Sequence, residues 1–204
     1  VRHAEEHFTL ITAASAQWHD YDVLKSDLPA GLTLTDQTKD FSTLIVTGPK
    51  AREVLTKMGT DADLSLGWLT HQVAQVAGQD CALLRVSFAG ELGWEIYLPV
   101  HDALSVWEAL IEAGEEFQLM PCGYKAIESL RLEKGYRAWA GEINTETNPW
   151  EAGLGFAVSL KKDNFHGRDA LVRVKENVLR TLVAITFENI CDVPLGNEAI
   201  RIGE

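Results

Sequence analysis

The chain has 204 residues, 46% of them hydrophobic and 24% charged, which supplies one sizeable core or two small ones and is too apolar for a disordered chain. Its formal net charge of −12 repels phosphate backbones and anionic bilayers, so neither nucleic acid nor membrane is an expected partner. No apolar run approaches the roughly 18 residues of a membrane span.

The elements follow in chain order. Phe8–Ala13 reads as a buried strand. Ser15 stands where it would cap a helix from Ala16 to about Lys25, with Trp18, Tyr21 and Leu24 on one side. Leu32–Thr35 and Phe41–Thr47 read as strands, and Gly48-Pro49 opens a helix through Lys57. Val73–Ala77, Ala82–Phe88 and Leu92–Leu98 complete a meander. A helix over Asp102–Gly114 carries an apolar stripe of Ala103, Leu104, Val106, Trp107, Leu110 and Ile111, with Asp102 as its expected cap. A second helix runs from Tyr124 to about Lys134 and stops at Gly135. Gly153–Leu160 reads as a strand, Gly167–Val174 as a helix and Arg180–Phe187 as a final strand.

Hairpins and single helices without regular βαβ units predict an α+β fold of antiparallel sheets with flanking helices. A change of pattern near Leu179 predicts one domain over 1–178 and the start of a β-rich domain over 179–204. The chain opens in the run-up to a strand and stops in a turn-like Ile202-Gly203-Glu204, so a fragment of a longer protein is expected.

Cys81, Cys122 and Cys191 are odd in number and lack a CxxC spacing, which fits a reducing compartment: the cytoplasm, or the mitochondrial matrix in a eukaryote. The six histidines are scattered, and no metal site is expected. No dinucleotide fingerprint, P-loop, HExxH or GxSxG is present.

The most informative stretch is FAGELGWEIYLP, residues 88–99. Leu92, Trp94, Ile96 and Leu98 point one way, and Gly93, Glu95 and Tyr97 the other. A carboxylate between Trp and Ile is a poor strand former, so the face of Glu95 is either solvent or a polar pocket. Glu95 is then an ordinary solvent-facing residue, or an anchor that accepts two parallel hydrogen bonds from an amidine-like edge such as that of a pterin or guanine. Gly93 beside it would let a flat ligand approach the backbone.

Three blocks in fixed order, FAGELGWEIYLP (88–99), GYKAIESLRLEKGYRAW (123–139) and NPWEAGLGFAV (148–158), continued by FHGRDAL (165–171), resemble the folate-binding aminomethyltransferase family typified by the glycine cleavage T-protein. Leu132–Arg137 (LEKGYR) is most similar to the version in dimethylglycine and sarcosine dehydrogenases, whose chains join a flavin part to a folate part. The resemblance implies a ferredoxin-like subdomain of the T-protein fold, followed by the start of a C-terminal β-barrel. It implies tetrahydrofolate as cofactor, with FAD in a preceding domain. It further implies transfer of a methylene or aminomethyl unit from an N-methyl amine-derived donor to tetrahydrofolate. A T-protein-type aminomethyltransferase, a sulfonium or aryl-ether demethylase, a non-catalytic folate-binding protein and a purely structural domain are the alternatives.

Carried over by position, the resemblance makes Glu95 the pterin-binding carboxylate. Phe88 falls where many relatives carry Tyr, and either packs on the pterin or closes the strand end. Tyr136 matches a family aromatic near the folate, or packs with Trp139. Ile127 occupies the position of the Arg that meets the folate tail, which leaves Arg131, one turn later, to serve there or to pair with Glu128 or Glu133. Lys125 is a further candidate for the tail. The family's catalytic aspartate falls a few residues before Val1, so the chain alone is expected to be inactive.

Overall fold

The computed structural model describes residues 1–189, 191–194, 196, 198–201 and 203. Contacts divide the chain into two units, Val1–Gly141 and Glu142–Glu204.

In the first unit the elements are α1 (Gln17–Ser26), β1 (Phe41–Thr47), α2 (Ala51–Lys57), β2 (His71–Val76), β3 (Gln79–Leu84), β4 (Gly93–Pro99), α3 (Ala103–Gly114) and α4 (Tyr124–Glu133). The four strands make one sheet in the order β1-β4-β3-β2, antiparallel throughout. The α+β reading, an antiparallel sheet with flanking helices, describes this unit. The β2–β3 hairpin turns on Ala77 and Gly78, both at positive φ (50° and 77°), the backbone pair that a two-residue turn of matching twist requires.

Alternation in β4 decides which side of the sheet is core. Trp94, Ile96 and Leu98 are buried, and the register sets Val46 against Trp94 and Leu44 and Leu83 against Ile96. Ala74, Val76 and Cys81 add to the same side, and Val54 and Leu55 of α2, Met58 just past its end, and Val106, Leu110 and Ala113 of α3 close it. Burial pushes the Cys81 thiol up to about 11, as befits a core thiol. Gly93 is used by the fold itself: an added Cβ would stand 2.8 Å from the Val46 carbonyl oxygen and 3.1 Å from Thr47 Oγ1. The room that the missing side chain leaves is taken by β1, not held open for a ligand.

In the second unit, the motif Asn148-Pro149-Trp150-Glu151 forms a hub. Asn148 Oδ1 accepts the amides of Trp150 (3.0 Å) and Glu151 (3.1 Å), and Trp150 Nε1 donates to the Leu171 carbonyl (3.0 Å) on α5 (Arg168–Lys175). Arg180 grips both oxygens of Glu151 (3.2 and 3.3 Å) and the Glu146 carbonyl (3.0 Å). The hydrogen bond from Arg180 holds the Glu151 carboxyl below the usual carboxylate range.

Four expected strands are absent among the described residues. Phe8–Ala13 makes only an isolated bridge from Phe8 to Arg2, and Phe8 is 58% exposed, because no strand lies beside it to complete a ladder. Leu32–Thr35 likewise pairs with nothing. Gly153–Leu160 is bent by the left-handed Gly153 (φ 67°) into a single 3₁₀ turn, Gly155–Ala157, under the Trp150 ring. Arg180–Phe187 contributes one ladder-like bond, Leu182 N–H to the Glu151 carbonyl at 2.9 Å, and is otherwise without a partner strand. The described residues of 179–204 form no barrel strand, and Ile190, Leu195, Asn197, Ile202 and Glu204 of that stretch lie outside the described residues. The caps also differ: α1 starts after Ala16 with no bond from Ser15, and Asp102 precedes α3 without a side-chain cap bond.

Ile96 is fully buried on the central strand, so Ile96→Ala should destabilise the protein by about 2–5 kcal/mol, read as a lowered urea midpoint at unchanged slope.

Candidate functional site

The core side of β4 leaves Glu95 and Tyr97 on the opposite face. The pairings align Ile45, Glu95, Leu84 and His71 in one row across the four strands, and Thr43, Tyr97, Ala82 and Val73 in the next. This face stays open at its edges: Ile45 is 46% and Val73 71% exposed. Tyr97 donates its phenolic O–H to Glu95 Oε2 at 2.7 Å, and Thr43 of β1 stands directly opposite Tyr97 in the ladder. Burial pushes the phenol pKa far up, and its bond to Glu95 and that residue's charge push it further, so it stays a donor across the physiological range. Oε1 of Glu95 has no hydrogen-bond partner among the described residues. A carboxylate has about four lone-pair sites, so Glu95 has acceptor capacity left on both oxygens.

The turn before β4 meets the end of α4. Gly90 (φ 77°) lies under Lys134, whose Cγ would stand 2.1 Å from an added Cβ, and Lys134 Nζ pairs with Glu91 at 3.2 Å. The Phe88 and Tyr136 rings stack across this contact, centroids 6.3 Å apart and planes 22° off parallel. Arg131 supports the pair from within. It is 2% exposed, its Nη1 donates to the Tyr136 carbonyl at 2.8 Å, its own carbonyl accepts the Tyr136 amide at 2.9 Å, and Nη2 pairs with Glu128. On the other side of the turn, the Ser87 and Thr47 hydroxyls share a hydrogen bond of 3.3 Å.

Of the residues singled out from sequence, Phe88, Tyr136 and Arg131 therefore come together as one cluster, while the partners of Glu95 are its strand neighbours. Arg131 is engaged with Glu128 and the Tyr136 backbone. Lys125, on the exposed first turn of α4, makes no ion pair among the described residues. Sequence reasoning did not single out Tyr97 or Thr43 for the site. The i, i+2 spacing of Glu95 and Tyr97 was the signal for the first; only the strand register identifies the second.

Three scattered histidines also meet. The His3 ring lies 4.8 Å from that of His7 and 5.4 Å, edge-on, from that of His71, and His3 Nε2 shares a 2.8 Å hydrogen bond with Thr9 Oγ1. Among the described residues no cluster of His, Cys, Asp or Glu is arranged to hold a metal ion. Burial lowers the His3 pKa, and the positive charges of His7, His71 and the amino terminus lower it further. Among the described residues no helix is long and apolar enough to cross a membrane.

Residues 1–162 match the family model described as the GCVT N-terminal domain. The chain is similar to mitochondrial sarcosine dehydrogenase of Mus musculus, 38% identical over 92% of this chain and 21% of that protein. It is also similar to mitochondrial dimethylglycine dehydrogenase of Homo sapiens, 37% identical over 95% of this chain and 23% of that protein. It thus spans between a fifth and a quarter of these two relatives. The crystal structure of the glycine cleavage system aminomethyltransferase T from Bartonella henselae superposes with a TM-score of 0.69 at 27% identity, covering 80% of this chain and 44% of that one.

Gly90→Ala should cost about 1–2 kcal/mol from its left-handed backbone alone, and more from displacement of Lys134; urea denaturation measures it. The depressed His3 pKa makes the unprotonated ring the one that packs. Docking of residues 1–9 is therefore complete above the ordinary histidine value and lost as the pH falls through the lowered one. Protection of the Thr9 amide, which bonds the Val1 carbonyl at 2.9 Å, should weaken as the pH falls below the ordinary histidine value, and His3→Gln should remove that dependence in an amide-exchange measurement corrected for intrinsic rate.

Proposed function

Because this chain belongs to the GCVT N-terminal domain family, we propose that it is the folate-binding portion of an enzyme of the dimethylglycine or sarcosine dehydrogenase type, passing a one-carbon unit to tetrahydrofolate. The observation that carries the reading is Glu95: a carboxylate on the open face of the sheet, already oriented by one phenol and with acceptor capacity to spare. A pterin edge presents an amino group beside a ring N–H, the donor pair that a carboxylate accepts bidentately. Phe88 and Tyr136 supply a stacked aromatic pair suited to a flat ring.

When bound, tetrahydrofolate contributes its N5 amine as the acceptor of the one-carbon unit. The work of this chain's residues is to bind and orient: Glu95 fixes the pterin edge, and the aromatic pair limits how the ring can tilt. Arg131 serves by holding Tyr136 rather than by meeting an anion, since its guanidinium is already committed inside the unit. Lys125 is then the residue of α4 best suited to the glutamate tail. The donor of the one-carbon unit, and the flavin chemistry that would release it, belong to this reading of the parent enzyme and not to residues described here.

Calorimetric titration of folinic acid into the protein tests the reading. Glu95→Ala removes a charged acceptor worth about 1.5–3 kcal/mol, so Kd should rise roughly 10- to 150-fold. Absence of binding by the wild-type protein would overturn the proposal.

A further inference from the structure

The Glu95 carboxylate is not left to its own torsions. Its Oε2 accepts the Tyr97 phenol at 2.7 Å, and the tyrosine that donates is itself fixed in the ladder, paired with Thr43 of β1 on one side and Ala82 of β3 on the other. We propose that Tyr97 is a positioning residue: it fixes the plane of the Glu95 carboxylate so that Oε1 and the remaining lone pairs meet the ligand's paired N–H donors without a rotamer search. The proposal rests on the folate reading of Glu95.

The chemistry of the three groups supports the assignment. A glutamate side chain has three torsions, and ordering them on binding weakens the ligand's net grip. A partner that orders them beforehand transfers that cost from binding to folding. Tyrosine suits the task better than lysine or arginine. A neutral phenol donates one directed hydrogen bond and leaves the carboxylate's charge for the ligand, whereas a cation would compete for it. Tyr97 is half-buried, its ring ordered between Thr43 of β1 and Ala82 of β3. Thr43 stands opposite Tyr97 on β1, an uncharged neighbour that leaves the Glu95 carboxylate as the acceptor of the phenolic hydrogen.

The test is a binding cycle with folinic acid on the wild type, Tyr97→Phe, Glu95→Ala and the double variant, beside a ligand-free ultraviolet titration of the tyrosines. Tyr97→Phe keeps the ring and its packing and loses the hydrogen bond, so affinity should fall about tenfold in a variant that still unfolds cooperatively. In the Glu95→Ala background the same substitution should cost little, because the acceptor that Tyr97 holds is gone; an equal loss in both backgrounds would mean a merely structural ring and overturn the proposal. Wild-type binding unaffected by Tyr97→Phe would overturn it while leaving the folate reading intact, whereas no wild-type binding would overturn the folate reading. The titration reads the pair without ligand. One of the four tyrosines should resist ionisation, and its midpoint should fall in Glu95→Ala; an unmoved midpoint would show that Tyr97 does not hold the carboxylate, whether or not folate binds.

Discussion

The register of β4 between β1 and β3 is the constraint on which the rest of the first unit depends. Because side chains alternate along a strand, burying Trp94, Ile96 and Leu98 obliges Glu95 and Tyr97 to take the other face, and a slip of one residue would bury a carboxylate and a phenol instead. The apolar set thereby fixes the position of the polar one. Gly93 reinforces the register from the start of the strand, since β1 closes to a distance there that a Cβ would forbid. Trp94 is clamped too: the Arg85 and Arg52 guanidinium carbons lie 4.8 and 5.6 Å from its ring centroid, and Arg85 Nη1 bonds the Gly93 carbonyl at 3.2 Å. The strand that carries the candidate ligand group is thus the most constrained in the sheet, as a preorganised site requires.

The turn 88–91 extends that constraint to α4. Phe88 leaves the sheet and meets Tyr136, Gly90 admits the Lys134 stem, and Arg131 ties the Tyr136 backbone back to the helix. Two segments more than forty positions apart in the chain therefore present their aromatic rings in a fixed stack. The charged groups involved serve positioning: the Lys134 stem covers a glycine while its ammonium pairs with Glu91 at the surface, and Arg131 is turned inward.

What was legible in the sequence follows from which interactions are local. The strands Phe41–Thr47 and Leu92–Leu98 and the helices over Asp102–Gly114 and Tyr124–Lys134 were readable because their periodicity is imposed by the core they pack against. Apolar runs such as Phe8–Ala13 and Arg180–Phe187 have strand composition, but a strand exists only where a partner backbone pairs with it, and composition does not reveal the partner. Gly153–Leu160 misled for a different reason: its alternation is apolar-and-glycine, and the glycines bend the chain where a side chain would have held it extended. Glu95 was visible as an anomaly in a good strand. His3, His7 and His71 were not, because their meeting depends on contacts across some seventy residues that no local pattern encodes.

Arg131 shows how one residue type in one helical position can have two fates. A guanidinium that is nearly fully buried must keep its partners, since losing them leaves a charge in a poor solvent for it. Glu128, one turn back, and the Tyr136 carbonyl, just past the helix end, are the partners the fold supplies, and both are fixed by covalent proximity to α4. Turning Arg131 outward to an anionic ligand would strand the Tyr136 carbonyl and loosen the ring that stacks on Phe88. Recruiting it for a ligand's tail would therefore work against holding the ligand's ring. With Ile127 one turn earlier offering no charge, the proposed reading assigns the tail to exposed groups, of which Lys125 is the example on this helix. On the proposed folate reading, affinity for the flat ring would rest on the sheet and turn, and affinity for the tail on an exposed, solvent-screened cation, so the ring would govern specificity.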